Sequence, residues 1–178
     1  MHRDGSDHHR QDCGRRADTR LRTPDRSRGL IHFRRMTAAL SDHIEMVVRF
    51  PVDDDALSDL HARAFGSPGH GPQPWSVRLE RHSLAWVGAF RGEALVGFVH
   101  ACWDGGLHAF LLDTVVDPAC QRRGIARALV DLLAEQVAAA GCEWLHVDYE
   151  PHLVAFYEDA CRFRPTTAGL LHLPGPPG

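Results

Sequence analysis

The chain has 178 residues, 44% of them hydrophobic, which suits one domain built on a single core. Its formal net charge of −3 conceals an asymmetry, because the first 35 residues carry ten of the 20 basic residues and five of the 23 acidic ones, leaving residues 36–178 at about −8. Every basic residue is arginine, which excludes Schiff-base and lysine-activated chemistry.

Five cysteines stand singly with no C-x-x-C pair, the usage of a reducing cytoplasm. Thirteen histidines include no H-E-x-x-H or comparable ligand spacing, so no metal site is expected. No apolar run reaches the length of a membrane span, and the N-terminus lacks the apolar segment of a secretory signal.

Residues 1–35 read as a disordered, basic N-terminal extension, and residues 36–178 as the folded domain. Three accounts of the extension stand open: an upstream stretch with Met36 or Met46 as the true start, a tail of no consequence, or a nucleic-acid-binding arm. Its five acidic residues weigh against the last, so nucleic acid is not the expected partner.

Ile44–Phe50 suits an opening strand that Pro51 ends. Asp53, Asp54 or Asp55 can then cap a helix over Ala56–Phe65, with Leu57, Leu60, Ala64 and Phe65 on one face. Gly66–Pro74 is a Gly/Pro loop, and a short helix from Trp75 to about His82 follows. Leu84–Phe90, Ala94–Trp103 and His108–Val116 are apolar runs joined by Gly-containing turns, which predicts an antiparallel meander.

Ile125–Ala140 is the clearest helix, its stripe running through Ile125, Leu129, Leu132, Leu133 and Val137, with Gly141 as the stop. Glu143–Asp148 reads as a buried strand parallel to the one before the helix. Leu153–Cys161 is a second helix, and Phe163–Leu173 has room for a short strand or tight hairpin.

Between the last strand of the meander and the long helix lies Asp117-Pro118, then Gln121-Arg122-Arg123-Gly124-Ile125-Ala126. The first backbone N–H groups of a helix have no intrahelical partner and sit at the positive end of its dipole, so this turn is suited to an anion. Gly124 lets a phosphate approach the backbone where a Cβ would obstruct it. The spacing matches neither the dinucleotide fingerprint nor the lysine-containing phosphate loop.

It does resemble the coenzyme A signature of the GNAT N-acetyltransferase superfamily, Q/R-x-x-G-x-G/A, met at Gln121, Gly124 and Ala126. A second block, Ala155-Phe156-Tyr157-Glu158 followed by Phe163-Arg164-Pro165, is similar to the family's A-x-x-F-Y-E-x-x-G-F-x-P region in order and position. The resemblance covers roughly residues 44–173. It implies an α/β (α+β) fold: a mixed, mainly antiparallel sheet of six to seven strands flanked by helices.

The resemblance also implies acetyl-CoA as co-substrate and an acceptor that is a small-molecule or peptide amine, with direct attack in a ternary complex. Gln121, Arg122, Arg123, Gly124, Ile125, Ala126 and Arg127 would hold the pyrophosphate, the arginines by charge-assisted contacts. Val115 and Val116 would lie along the pantetheine arm, with the Val116 N–H polarising the thioester carbonyl. Tyr157 would protonate the departing thiolate, and Glu150 would take the ammonium proton, with Asp148, Asp113 and His108 as rivals.

Two departures from the family pattern stand out. Phe156–Phe163 is one residue longer than the common form, and Arg162 replaces the usual helix-ending glycine. The loop with His70 and Trp75 would wall the acceptor site, and the acidic domain would attract a cationic amine. A cytoplasmic enzyme is the reading these features favour, without a membrane partner and with a homodimer left open. The rival class is a non-catalytic acetyl-CoA sensor.

Overall fold

The computed structural model describes residues 43–66 and 71–173; the basic extension, its boundary with the domain, and His70 lie outside the described residues. Five strands form one sheet in the order β1 (Glu45–Val48), β2 (Ser83–Arg91), β3 (Ala94–Trp103), β4 (His108–Val116) and β5 (Trp144–His146). The first four pair antiparallel and β4–β5 pair parallel. Two helices, α1 (Asp54–Phe65) and α2 (Trp75–His82), precede β2, and α3 (Ile125–Ala139) makes the crossover from β4 to β5.

Strand alternation divides the core into two clusters, one on each face of the sheet. Trp86 and Phe98 join Phe50, Leu57, Leu60, Trp75 and Leu79 under α1 and α2. Val87 and Val99 point the other way, onto Ile125, Leu129 and Leu133 of α3. Gly97 lets α3 come this close, since a Cβ there would stand 3.0 Å from Leu129 Cδ1 and 3.2 Å from Ile125 Cγ2.

Of the three candidate caps, Asp53 takes the position, its Oδ1 accepting from the Asp55 and Ala56 N–H groups at 3.0 Å. Asp54 is thereby free to accept from the Ser76 N–H at 2.7 Å and from its hydroxyl at 3.2 Å, pinning α1 to the start of α2. Trp75, expected to wall a site, is instead 2% exposed in the core and donates its indole N–H to Ser58 Oγ at 3.1 Å.

The mixed, mainly antiparallel sheet flanked by helices is as expected, but it has five strands among the described residues rather than six or seven. The strand expected over Glu143–Asp148 shortens to Trp144–His146, so Glu150 lies beyond its end in an irregular segment. Phe163–Leu173 forms neither strand nor hairpin, and Leu170, Leu171 and Leu173 stand exposed. The helix expected over Leu153–Cys161 is a 3₁₀ turn at Pro151–Leu153 followed by a π-helix at Ala155–Ala160. The extra residue explains the winding: a π turn takes up one residue more per closed ring than an α turn, as in the bond from the Cys161 N–H to Phe156 O.

Candidate active site

β4 outruns its parallel neighbour. The pairing with β5 covers only His108–Phe110 against Trp144–His146, and from Leu111 onward the β5-side edge of β4 has no strand beside it among the described residues. The Asp117 N–H turns to Val96 O on β3 at 2.9 Å. Alternate residues of a strand direct their backbone groups to opposite edges, so the Val116 amide faces the gap. Gln121 reaches that side, donating from Nε2 to Val116 O at 3.2 Å.

The turn after β4 is held from both ends. Asp117 Oδ1 accepts from the Ala119 N–H at 2.9 Å, and Oδ2 accepts from Arg63 Nε of α1 at 3.1 Å. Gln121, Arg122, Arg123 and Gly124 are exposed around the α3 N-terminus, whereas Ile125 is buried and anchors the helix to the core. Gly124 caps α3 with φ +79°, and a Cβ added there would meet nothing within 4 Å among the described residues. The approach to the free N–H groups is therefore open. Arg127 pairs with Asp131 one turn along α3, at 3.4 Å.

Tyr157 is 5% exposed and packs between Tyr149, Phe156 and Phe163, at ring-centroid distances of 5.0, 4.8 and 5.8 Å. Burial pushes its phenol above 10, and the neighbouring Thr114 hydroxyl pulls it back in part. Thr114 Oγ1 is buried without a hydrogen-bond partner of ordinary geometry among the described residues. The Cys161 thiol is pushed up to about 11, by burial first and then by Asp131, so it is held protonated near neutral pH.

Thr114 belongs to a β-bulge. Phe98 pairs with Val115 and His100 with Leu112, so two residues of β4, Asp113 and Thr114, oppose Val99 alone. Asp113 adopts φ +53°, a conformation aspartate tolerates better than most residues. The bulge turns the two neighbours to different surroundings. Thr114 adjoins Tyr157, while Asp113 enters a network under α1 and α2.

Three donors converge on Asp113: Arg78 Nη2 at 2.7 Å, His100 Nε2 at 3.0 Å and His61 Nε2 at 3.3 Å. A carboxylate only accepts, so both rings carry a proton on Nε2. Burial alone would raise the Asp113 carboxyl; the hydrogen bonds and charge of His100, then His61 and Arg78, hold it at about 2. His100 is itself 2% exposed, with Ser83 Oγ 2.8 Å from its Nδ1.

The structure thus ties Gln121 to the Val116 end of β4, from which the turn leads to Arg127 on α3, and sets Tyr157 beside Thr114 of the same strand. Val115 is 2% exposed and its side chain belongs to the aromatic cluster on the other face. Glu150 is exposed, with no side-chain hydrogen bond or ion pair among the described residues. Its neighbour Tyr149 stacks on Tyr157 and donates to Glu158 Oε1 at 2.8 Å. Of the rival bases, Asp148 is exposed and His108 Nδ1 lies 2.7 Å from His146 Nε2. The roles of His61, Arg78 and His100 around Asp113 had no local sequence signal, because the four residues come from four different elements.

Residues 55–163 match the Acetyltransferase (GNAT) family. The chain belongs to the GNAT family. It is similar to a serotonin N-acetyltransferase, the chloroplastic form 2 of Oryza sativa subsp. japonica, with 29% identity over 109 residues covering 60% of this chain and 54% of that protein. The chain therefore spans about half the length of this relative. Its GNAT fold also superposes on a Trypanosoma brucei acetyltransferase with a TM-score of 0.64 at 19% identity, covering 74% of this chain and all of that one. An aminoglycoside N-acetyltransferase crystallised with CoA gives 0.60 at 19% identity, covering 74% of this chain and 95% of that one.

No helix among the described residues of this GNAT chain is long and apolar enough to cross a membrane.

Proposed function

We propose that this GNAT chain is an N-acetyltransferase that moves an acetyl group from acetyl-CoA to a primary amine by direct attack within a ternary complex. One observation carries the reading: the open, glycine-capped N-terminus of α3 lies at the end of a strand whose outer edge has lost its partner. The helix end suits a pyrophosphate, and the bare strand edge suits the amides of a pantetheine arm. The aminoglycoside relative crystallised with CoA supports the choice of that cofactor.

In this mechanism the N–H groups following Gly124 hold the pyrophosphate, and Arg122, Arg123 and Arg127 add charge around it. Gln121 holds the turn to the strand, while Ala126 packs against the core and Ile125 is buried in it. The Val116 N–H, facing the gap next to Val115, polarises the thioester carbonyl. The acceptor amine attacks that carbonyl, a C–N bond forms as the C–S bond breaks, and the thiolate leaves with a proton from the Tyr157 phenol. Glu150 takes the ammonium proton, directly or through water.

The test is the thermal midpoint of the full chain with and without acetyl-CoA. At ~100 times its dissociation constant the ligand stabilises by about 2.7 kcal/mol, a rise of several degrees. Gly124→Glu places a carboxylate over the anion site and should abolish the rise, which is read as a difference so that strain at φ +79° drops out. A chain with no rise is not an acetyl-CoA enzyme. Thiol release on adding an amine then measures transfer itself.

A further inference from the structure

A cleft of about 520 Å³ opens between α2 and the β3–β4 face, on the side of the sheet where Asp113 enters its network. Its walls bring together Arg78, Arg81, His82 and His100, with Val77 and Leu112 supplying apolar surface. No carboxylate lines it among the described residues. That is the opposite of what the domain's overall charge suggests, since residues 36–178 carry about −8.

The positive lining is a consequence of helix geometry. Arg78, Arg81 and His82 are three and four residues apart on α2 and share one face, whereas Glu80 lies roughly 200° round the helix from Arg78. Asp113, which accepts from the lining residues Arg78 and His100 and also from His61, does not itself line the cleft. Arg78 is committed twice, to Asp113 and to the Trp75 ring at 4.5 Å. Arg81 makes no ion pair or hydrogen bond among the described residues. An exposed arginine beside apolar wall residues, with no acid paired to it among the described residues, suits an anionic group attached to an apolar body.

We propose that the acceptor is an amine that also bears a carboxylate or similar anionic group, seated in this cleft with the anion on Arg81. The inference rests on the acetyltransferase reading and narrows its substrate class. Simple cationic amines, which the net charge of the domain attracts at long range, then meet a like-charged lining at short range. The apolar body lies along Val77 and Leu112, and the amine points toward the Asp113 bulge and the edge of β4.

The experiment compares L-phenylalanine with 2-phenylethylamine, two amines that differ by one carboxylate, by titration calorimetry on the full chain saturated with CoA. L-phenylalanine is expected to bind at least about tenfold tighter, and Arg81→Gln is expected to erase that preference. Glu80→Gln, on the far side of α2, should leave it unchanged. Equal binding of the two probes, tighter binding of 2-phenylethylamine, no binding of either, or a preference that survives Arg81→Gln overturns the proposal. The thermal rise on adding CoA to the same samples separates the two readings. Its absence removes the cofactor assignment, while a rise without the carboxylate preference removes only the acceptor class.

Discussion

Tyr157 is a buried phenol whose packing comes from Tyr149, Phe156 and Phe163, and whose hydroxyl has only the Thr114 side chain to moderate it. A phenol raised above its ordinary value stays protonated through the neutral range, as a general acid for a thiolate requires. Tyr157→Phe keeps the ring in its packing and removes only the proton. We expect turnover to fall by roughly 10²–10³-fold while acetyl-CoA affinity and the thermal midpoint scarcely change, measured by thiol release and melting in parallel.

Asp113 is a different case, because its charge is held by the fold. Its folded value of about 2 lies below the ordinary 3.8, so it contributes stability that is fully present above about pH 4 and is lost as pH falls through about 2. The contribution is on the order of 1–2 kcal/mol after allowing for partial exposure. Asp113→Asn tolerates the same left-handed backbone and removes the charge. The urea midpoint of the variant should fall below that of the parent at pH 6, with the gap closing toward pH 2. A gap constant with pH would mean that the ion pairs contribute nothing.

At the scale of elements, the exit of the π-helix shows how a departure from the family pattern is absorbed. Arg162 sits at φ +64°, the left-handed position for which glycine is the usual choice. The Phe163 N–H nevertheless closes back onto Tyr157 O at 2.9 Å, so the added residue is taken up by the wider winding and the chain still folds back behind Tyr157. Arg162→Gly should stabilise the protein by about 1 kcal/mol, read as a rise in the denaturation midpoint. A loss of stability would show that the arginine side chain contributes more than its backbone costs. β4 illustrates the same logic, for its bulge turns neighbouring residues to different surroundings in one step.

For the whole molecule, the ordering of strands and helices was legible because hydrophobic period and Gly-containing turns are local signals. Ala94–Trp103 and His108–Val116 appear with the expected bounds, and α3 ends within a residue of expectation. The C-terminal region was less so. A segment such as Phe163–Leu173 has strand-like composition, but pairing depends on a neighbouring edge, and β5 offers only three residues. The turn from Gln121 to Arg127 could be recognised from sequence since its chemistry lies in consecutive residues. By itself the sequence determined the order of elements as far as β5, the glycine at the helix start and the family. Only the tertiary structure decided which side chains meet: that β4 outruns β5, that His61, Arg78 and His100 close on Asp113, and that an acidic domain presents an arginine-lined cleft. Those outcomes depend on strand register, on one bulge and on which face α2 turns to the sheet. Each is a relation between residues far apart in the chain, carried by packing rather than by local sequence.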